Sequence, residues 1–223
     1  ELTPQPLASP TPKAELPPKG EETQRLLLET EVPPRDLYAL TARLKGLAKP
    51  IPRVVNETPP HFEMGQMVSF WVNDEALSET YFPISATLRV ETPHLYVWVE
   101  EGLEVDQKDL EEASWEFEEK IYPNNHRFFG EEWSPGVDND PHVHILNANL
   151  PSVGGYYSSA DEYPGVINPF SNEKEMFYIN AGYIPPGVEF YRAVLAHEFQ
   201  HMIHWHNDPN EDTWGNEGLA ELA

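Results

Sequence analysis

The stretch His197-Glu198-Phe199-Gln200-His201 carries the pattern H-E-x-x-H. On an α-helix the two histidines project from one face, about one turn apart. Two imidazoles at that separation suit a single Zn²⁺ with bonds of about 2.0–2.1 Å. Glu198, beside the first histidine, is then placed to take a proton from a water that the metal activates. Chance also produces five-residue patterns of this kind as exposed, charged helical turns, so the elements that position them must decide.

Those elements favour a helix. Val188 to Ala196 run into the motif without a breaker, and Pro185, Pro186 and Gly187 mark a helix start upstream. Val194, Leu195, Phe199, Met202 and Ile203 recur at helical spacing, which predicts burial of one face. Met176-Phe177-Tyr178-Ile179 reads as a strand. Histidines on a buried helix need polar partners, and a metal ion is one.

Catalytic zinc takes three protein ligands and keeps one position open. An extended motif, H-E-x-x-H-x-x-G-x-x-H, fails here, because the chain has His204 and Asn207 where glycine and histidine would be needed. A glutamate on a following helix is the other source. The segment Asn216-Glu217-Gly218-Leu219-Ala220-Glu221 resembles the third-ligand motif of the gluzincins, such as thermolysin and the N-E-G-F-A aminopeptidases. That resemblance implies Glu217 as third ligand and Glu221 as a carboxylate hydrogen-bonded to the first zinc histidine, a contact that fixes the histidine tautomer. The chain departs from those enzymes in the short linker between His201 and Glu217. Segments 136–140, 144–146, 175–180, 195–203 and 216–221 also look like bacterial secreted metallopeptidases of the hyicolysin type and like relatives of the immune-inhibitor-A peptidases. This likeness spans about residues 105–223, with only the two zinc segments specific.

Other candidates read more plainly. His204 lies near the face of His197 but about 10 Å along the axis, too far to share the metal. A structural role is the leading reading for it, with a substrate or oxyanion contact as the alternative. His206 is expected at the surface. His142 and His144 alternate along a strand and are read as structural. Asp138-Asn139-Asp140 lacks the remaining positions of a calcium loop, so Ca²⁺ is a weak expectation, strengthened only if the fold brings Asp161-Glu162 close. Tyr156, Tyr157, Tyr178 and Tyr183 are the possible oxyanion donors, and the strand near 176–180 is a candidate to hold an extended substrate.

Composition narrows the function. With 14 basic and 38 acidic residues the net charge is −24, which argues against nucleic acid and anionic membranes as partners. There is no cysteine, and no apolar run long enough to span a bilayer. The chain opens Glu-Leu-Thr-Pro, which suggests that a targeting segment has been removed and that the protein is secreted or in a bacterial cell envelope.

Along the chain, a proline-rich linker is expected over 1–22, with Pro4, Pro6, Pro10, Pro12, Pro17 and Pro18. A helical and β-rich lobe follows over 23–105, either a pro-segment or a fixed lobe, with helical patterning over 21–49 and strands near 67–72, 84–90 and 95–99. Residues 106–223 form the catalytic unit: a helix over 106–129 with Leu110, Ala113, Phe117 and Ile121 on one stripe, a strand over 142–150, a loop at 154–159, then the HEFQH helix. The chain stops at Ala223, where thermolysin-like enzymes carry a further lobe, so this unit is expected to be truncated. The resulting expectation is an α+β, zincin-like zinc endopeptidase acting on peptides or proteins. The alternatives are a zincin-fold adhesion module with structural zinc, and an aminopeptidase, for which no G-x-M-E-N-like anchor is present.

Overall fold

Alternating apolar residues in an outer strand, Thr80–Glu91, and continuous apolar runs in the central strands build a single sheet. In a computed structural model, which describes residues 18–30, 35–74, 80–151, 153–209 and 213–223, six strands line up in the order β1-β2-β3-β4-β6-β5. They are β1 (Met67–Asp74), β2 (Thr80–Glu91), β3 (Leu95–Glu100), β4 (Val143–Ala148), β5 (Gly155–Tyr157) and β6 (Met176–Asn180). β1, β2 and β3 form an antiparallel meander, β3–β4 and β4–β6 are parallel, and β5 runs antiparallel on β6. The architecture is therefore a mixed sheet with several helices, in keeping with the α+β class.

The protein falls into two compact units, Glu1–Asp36 and Leu37–Ala223. The first contains α1 (Pro18–Glu29). The expected linker over 1–22 is thus corrected at its end: Pro18 opens a helix, as its fixed φ allows at a first turn, and residues 1–17 lie outside the described ones. The second unit holds everything else. The boundary expected at 105 falls between β3 and β4, which pair directly, so strands 67–100 continue the sheet of the later residues.

Parallel pairing of β3 with β4 requires a crossover, which α3 (Gln107–Glu116) and α4 (Tyr122–Phe129) supply. Asp106 caps α3 by accepting from the N–H groups of Lys108 and Asp109. A π-helical turn, Phe117–Ile121, joins the two helices ahead of Pro123, whose missing N–H breaks the regular ladder. The predicted stripe holds: Leu110, Ala113 and Phe117 are buried, with Ile121 packed against them.

Strand alternation separates two cores. On one face Val97, Val99, Ile145, Phe177 and Ile179 meet Leu110, Phe117, Leu195, Phe199 and Met202 from the helices. On the other, Phe70, Leu88, Trp98, Leu146, Met176 and Tyr178 pack with Phe62. β3, β4 and β6 are therefore buried on both faces, as parallel central strands are.

The sheet curls enough to bring its two edges together. The Asn73 N–H of β1 donates to the Tyr156 hydroxyl of β5 at 3.1 Å. The Asn172 side chain pairs with both the N–H and C=O of Trp71, at 2.8 and 2.9 Å, and so mimics a neighbouring strand. Residues 155–157, expected as loop, are thus a short edge strand; their glycine and polar content hid a pairing that only the neighbouring β6 supplies.

Candidate metal centre

The HEFQH residues lie within α5 (Glu189–Asn207), which buries Tyr191, Val194, Leu195, Phe199, Met202 and Ile203 against the sheet. That face fixes the helix, and its spacing turns His197 and His201 towards an open cleft of about 470 Å³. The second partner is α6 (Thr213–Ala220), which carries Glu217 to the same point.

The three ligand atoms converge. His197 Nε2 and His201 Nε2 are 3.0 Å apart, and Glu217 Oε2 is 3.6 and 3.7 Å from them. A tetrahedral ion with bonds of about 2.0–2.1 Å separates its ligands by about 3.3–3.4 Å. The circle through three atoms with these separations has a radius of about 2.0 Å, so one point lies at bonding distance from all three. Two imidazoles and a carboxylate are also the donor types that zinc takes. Among the described residues this is the one set of three or more His, Asp or Glu ligand atoms lying within 4.8 Å of each other.

The tautomer of His201 is set by Asn216. His201 Nδ1 and Asn216 Oδ1 are 3.0 Å apart; with the proton on Nδ1 donated to the amide oxygen, Nε2 keeps its lone pair for a cation. Burial lowers the pKa of His201, which favours the neutral, ligating form, although the Asn216 bond opposes the shift. The expected role of Glu221 is corrected here. Glu221 falls in the turn after α6 and is exposed, and the amide of Asn216 holds a histidine instead, the second rather than the first. Asn216 stands next to Glu217 in the segment Asn216-Glu217-Gly218.

Glu198 is 6% exposed and packs beside β5. A Cβ at Gly155 would lie 3.3 Å from Glu198 Oε1 and 2.8 Å from both the Tyr178 carbonyl oxygen and Val194 Cγ1. Glycine at 155 is what lets the edge strand approach the motif this closely, a role invisible without the strand pairing.

The tyrosines sort by face. Tyr178 points to the opposite side of the sheet from α5: its hydroxyl donates to Asp161 Oδ2 at 2.6 Å, and its ring stacks on Tyr156. It is therefore removed from the site, and β6, paired on both edges, cannot add a further strand. Tyr156 and Tyr157 line the cleft, but their hydroxyls bond Asn73 N–H and Glu162. Tyr183 is exposed and does not line it. His204 does line the cleft, with Nε2 covered and without a hydrogen-bond partner, and His206 is exposed as expected.

Behind β5 lies a set of buried carboxylates. Burial raises Asp161 and Glu162 to about 7, against the bonds from Tyr178 and Tyr157, and raises Asp138 to about 6, against Lys174. Glu175 is also raised, first by burial and then by Glu162 and Asp138, which places it between the two acidic segments. In Asp138-Asn139-Asp140, Asp138 Oδ2 is buried without a hydrogen-bond partner and lies 3.6 Å from Lys174 Nζ, and Asp140 bonds His142. His144 accepts from Trp98 Nε1 at 3.0 Å and packs against Tyr96 and Phe62. No helix among the described residues is long and apolar enough to cross a membrane. No protein-family model matches this chain, and no curated protein matches it.

Proposed function

We propose that the chain is a zinc-dependent endopeptidase of the gluzincin class, built on a zincin-like α+β catalytic domain and acting outside the bacterial cytoplasm. The observation that carries this reading is the convergence of His197, His201 and Glu217 on one point of a cleft whose wall also presents the buried carboxylate of Glu198. A zinc ion held there supplies a Lewis acid that polarises the scissile carbonyl and lowers the pKa of water towards 7.

The chain's own residues do the rest. His197 and His201 present their Nε2 lone pairs, and Asn216 keeps the proton of His201 on Nδ1. Glu217, on a separate short helix, brings the third ligand and one compensating negative charge. Glu198 accepts the proton of the attacking water and then delivers it to the leaving amine.

Replacing Glu198 by Gln tests the mechanism. Peptide cleavage should fall by about 10²–10⁴-fold with zinc still bound one per chain. A Glu198→Gln chain that cleaves at the wild-type rate would overturn the mechanism. Zinc bound by a wild-type chain that cleaves no peptide would instead support the reading as an adhesion module with structural zinc.

A further inference from the structure

The loop ahead of β4 places a nucleophile beside its own peptide bond. Asp140 and Pro141 form an Asp–Pro bond, and His142 follows. An aspartate carboxylate can attack its own carbonyl carbon and close a cyclic anhydride. Proline favours this, because its nitrogen is a tertiary amide and leaves as a secondary amine. A fold promotes the reaction by holding the carboxylate over the bond and by supplying a proton to the departing nitrogen.

This loop does both. Asp140 is buried, and its Oδ1 accepts the His142 N–H at 3.0 Å, which folds the side chain back across the Asp140–Pro141 bond between them. The same oxygen lies 2.5 Å from His142 Nδ1, so the ring can share a proton at that bond. The His142 ring is held in turn by Tyr96, with centroids 4.2 Å apart. The Asp140 N–H donates to Asp138 Oδ1 at 3.0 Å, Asn139 turns the chain at φ 66°, and the Asn56 amide donates to the Asp138 carbonyl at 2.9 Å. Pro141 is exposed, so water reaches the bond. The chain's other Asp–Pro bond, Asp208–Pro209, is followed by Asn210 instead of a histidine.

We propose that Asp140–Pro141 is a self-cleaving bond. A carboxylate oxygen of Asp140 bonds to the Asp140 carbonyl carbon, the bond from that carbon to the Pro141 nitrogen breaks, and the proton on His142 Nδ1 passes to the nitrogen. Water then opens the anhydride, leaving Asp140 as a new C-terminus and Pro141 as a new N-terminus. β3 and β4 pair in parallel on either side of the cut, so the two pieces stay together until denatured.

The test uses the full chain carrying Glu198→Gln, kept at neutral pH with a chelator, so that metal-dependent autolysis plays no part. Mass spectrometry under denaturing conditions should show fragments 1–140 and 141–223 accumulating over days, the second beginning Pro-His-Val-His. Hydroxylamine should capture the anhydride as a hydroxamate on Asp140. Asp140→Asn should stop the cleavage, His142→Gln should slow it by about 10²-fold, and Pro141→Ala, which keeps both side chains, should slow it by at least about 10-fold. Thermal denaturation checks that each variant is folded. A chain that keeps its full mass, or fragments that still form in Asp140→Asn, would overturn the proposal. Equal cleavage at Asp208–Pro209 would overturn it too, because the loop would then contribute nothing beyond the lability of any Asp–Pro bond.

Discussion

Among the histidine–carboxylate groups of the described residues, two behave in opposite ways. One is His197, His201 and Glu217, half open to a cleft, with ligand atoms on a common circle. The other is His144 with Asp138, Lys174 and Glu175, buried behind the sheet. In the first, two histidines four residues apart on a helix share a face at metal-ligand distance, with Glu217 Oε2 3.6 and 3.7 Å from them. In the second, strand geometry sends the His144 ring into a nest of Tyr96, Trp98 and Phe62, where Trp98 donates to Nδ1. Lys174 already supplies positive charge to Asp138. Residue types alone do not separate a metal centre from a polar core; convergence and access do.

The sharpest way to break this contrast is a pair of substitutions. His201→Ala should abolish stoichiometric zinc and peptide cleavage while leaving the metal-free fold nearly as stable. His144→Ala should keep one zinc per chain but destabilise the fold by about 2–4 kcal/mol, because it empties a fully packed aromatic site. Zinc analysis and thermal denaturation of both variants check this, and the reverse pattern would dissolve the distinction. Next in size is Asn216→Ala, which frees His201 Nδ1 and should weaken zinc binding by about 10–100-fold without changing its stoichiometry. Competition with a chelator measures it.

The smallest effect concerns pH. Glu162 has its folded pKa raised to about 7, so the folded state holds the proton more tightly than the unfolded chain. Its stabilising contribution is complete below the ordinary glutamate range and is lost as pH rises through about 7. Asp161 and Asp138 act in the same direction. His144 acts in the opposite one, since burial holds its pKa well below 6.5 and acidification then costs stability. Glu162→Gln should therefore make Tm change less unfavourably between pH 5 and pH 8 than in the wild type. An unchanged or steeper fall across that interval would count against a carboxyl group that is neutral at low pH behind β5.

How much was legible in the sequence depends on the range of the contact. His197, Glu198 and His201 are local to one helix, and the apolar spacing around them gave the buried face directly. Glu217 was accessible through its neighbours in the N-E-G segment. The exchange of Glu221 for Asn216 was not, because it depends on how α6 crosses α5. Tyr156 and Tyr178 are direct cross-strand partners stacked on one face, and the side of the sheet they share depends on a pairing that sequence does not state. Gly155 looks like loop in the sequence for the same reason: a three-residue edge strand has no periodicity of its own, and its close approach to Glu198 exists only once β6 is beside it. The continuity of β3 with β4 likewise rests on a pairing across residues 101–142.

The central claim is that three side chains define one metal position with a side left open to the cleft. Zinc-edge X-ray absorption on the zinc-loaded full chain tests it most directly. Two imidazole nitrogens and oxygen ligands at about 2.0–2.1 Å are expected, with no stoichiometrically bound zinc left to give that spectrum in His201→Ala. A wild-type spectrum without imidazole scattering, or one requiring four protein ligands, would contradict it.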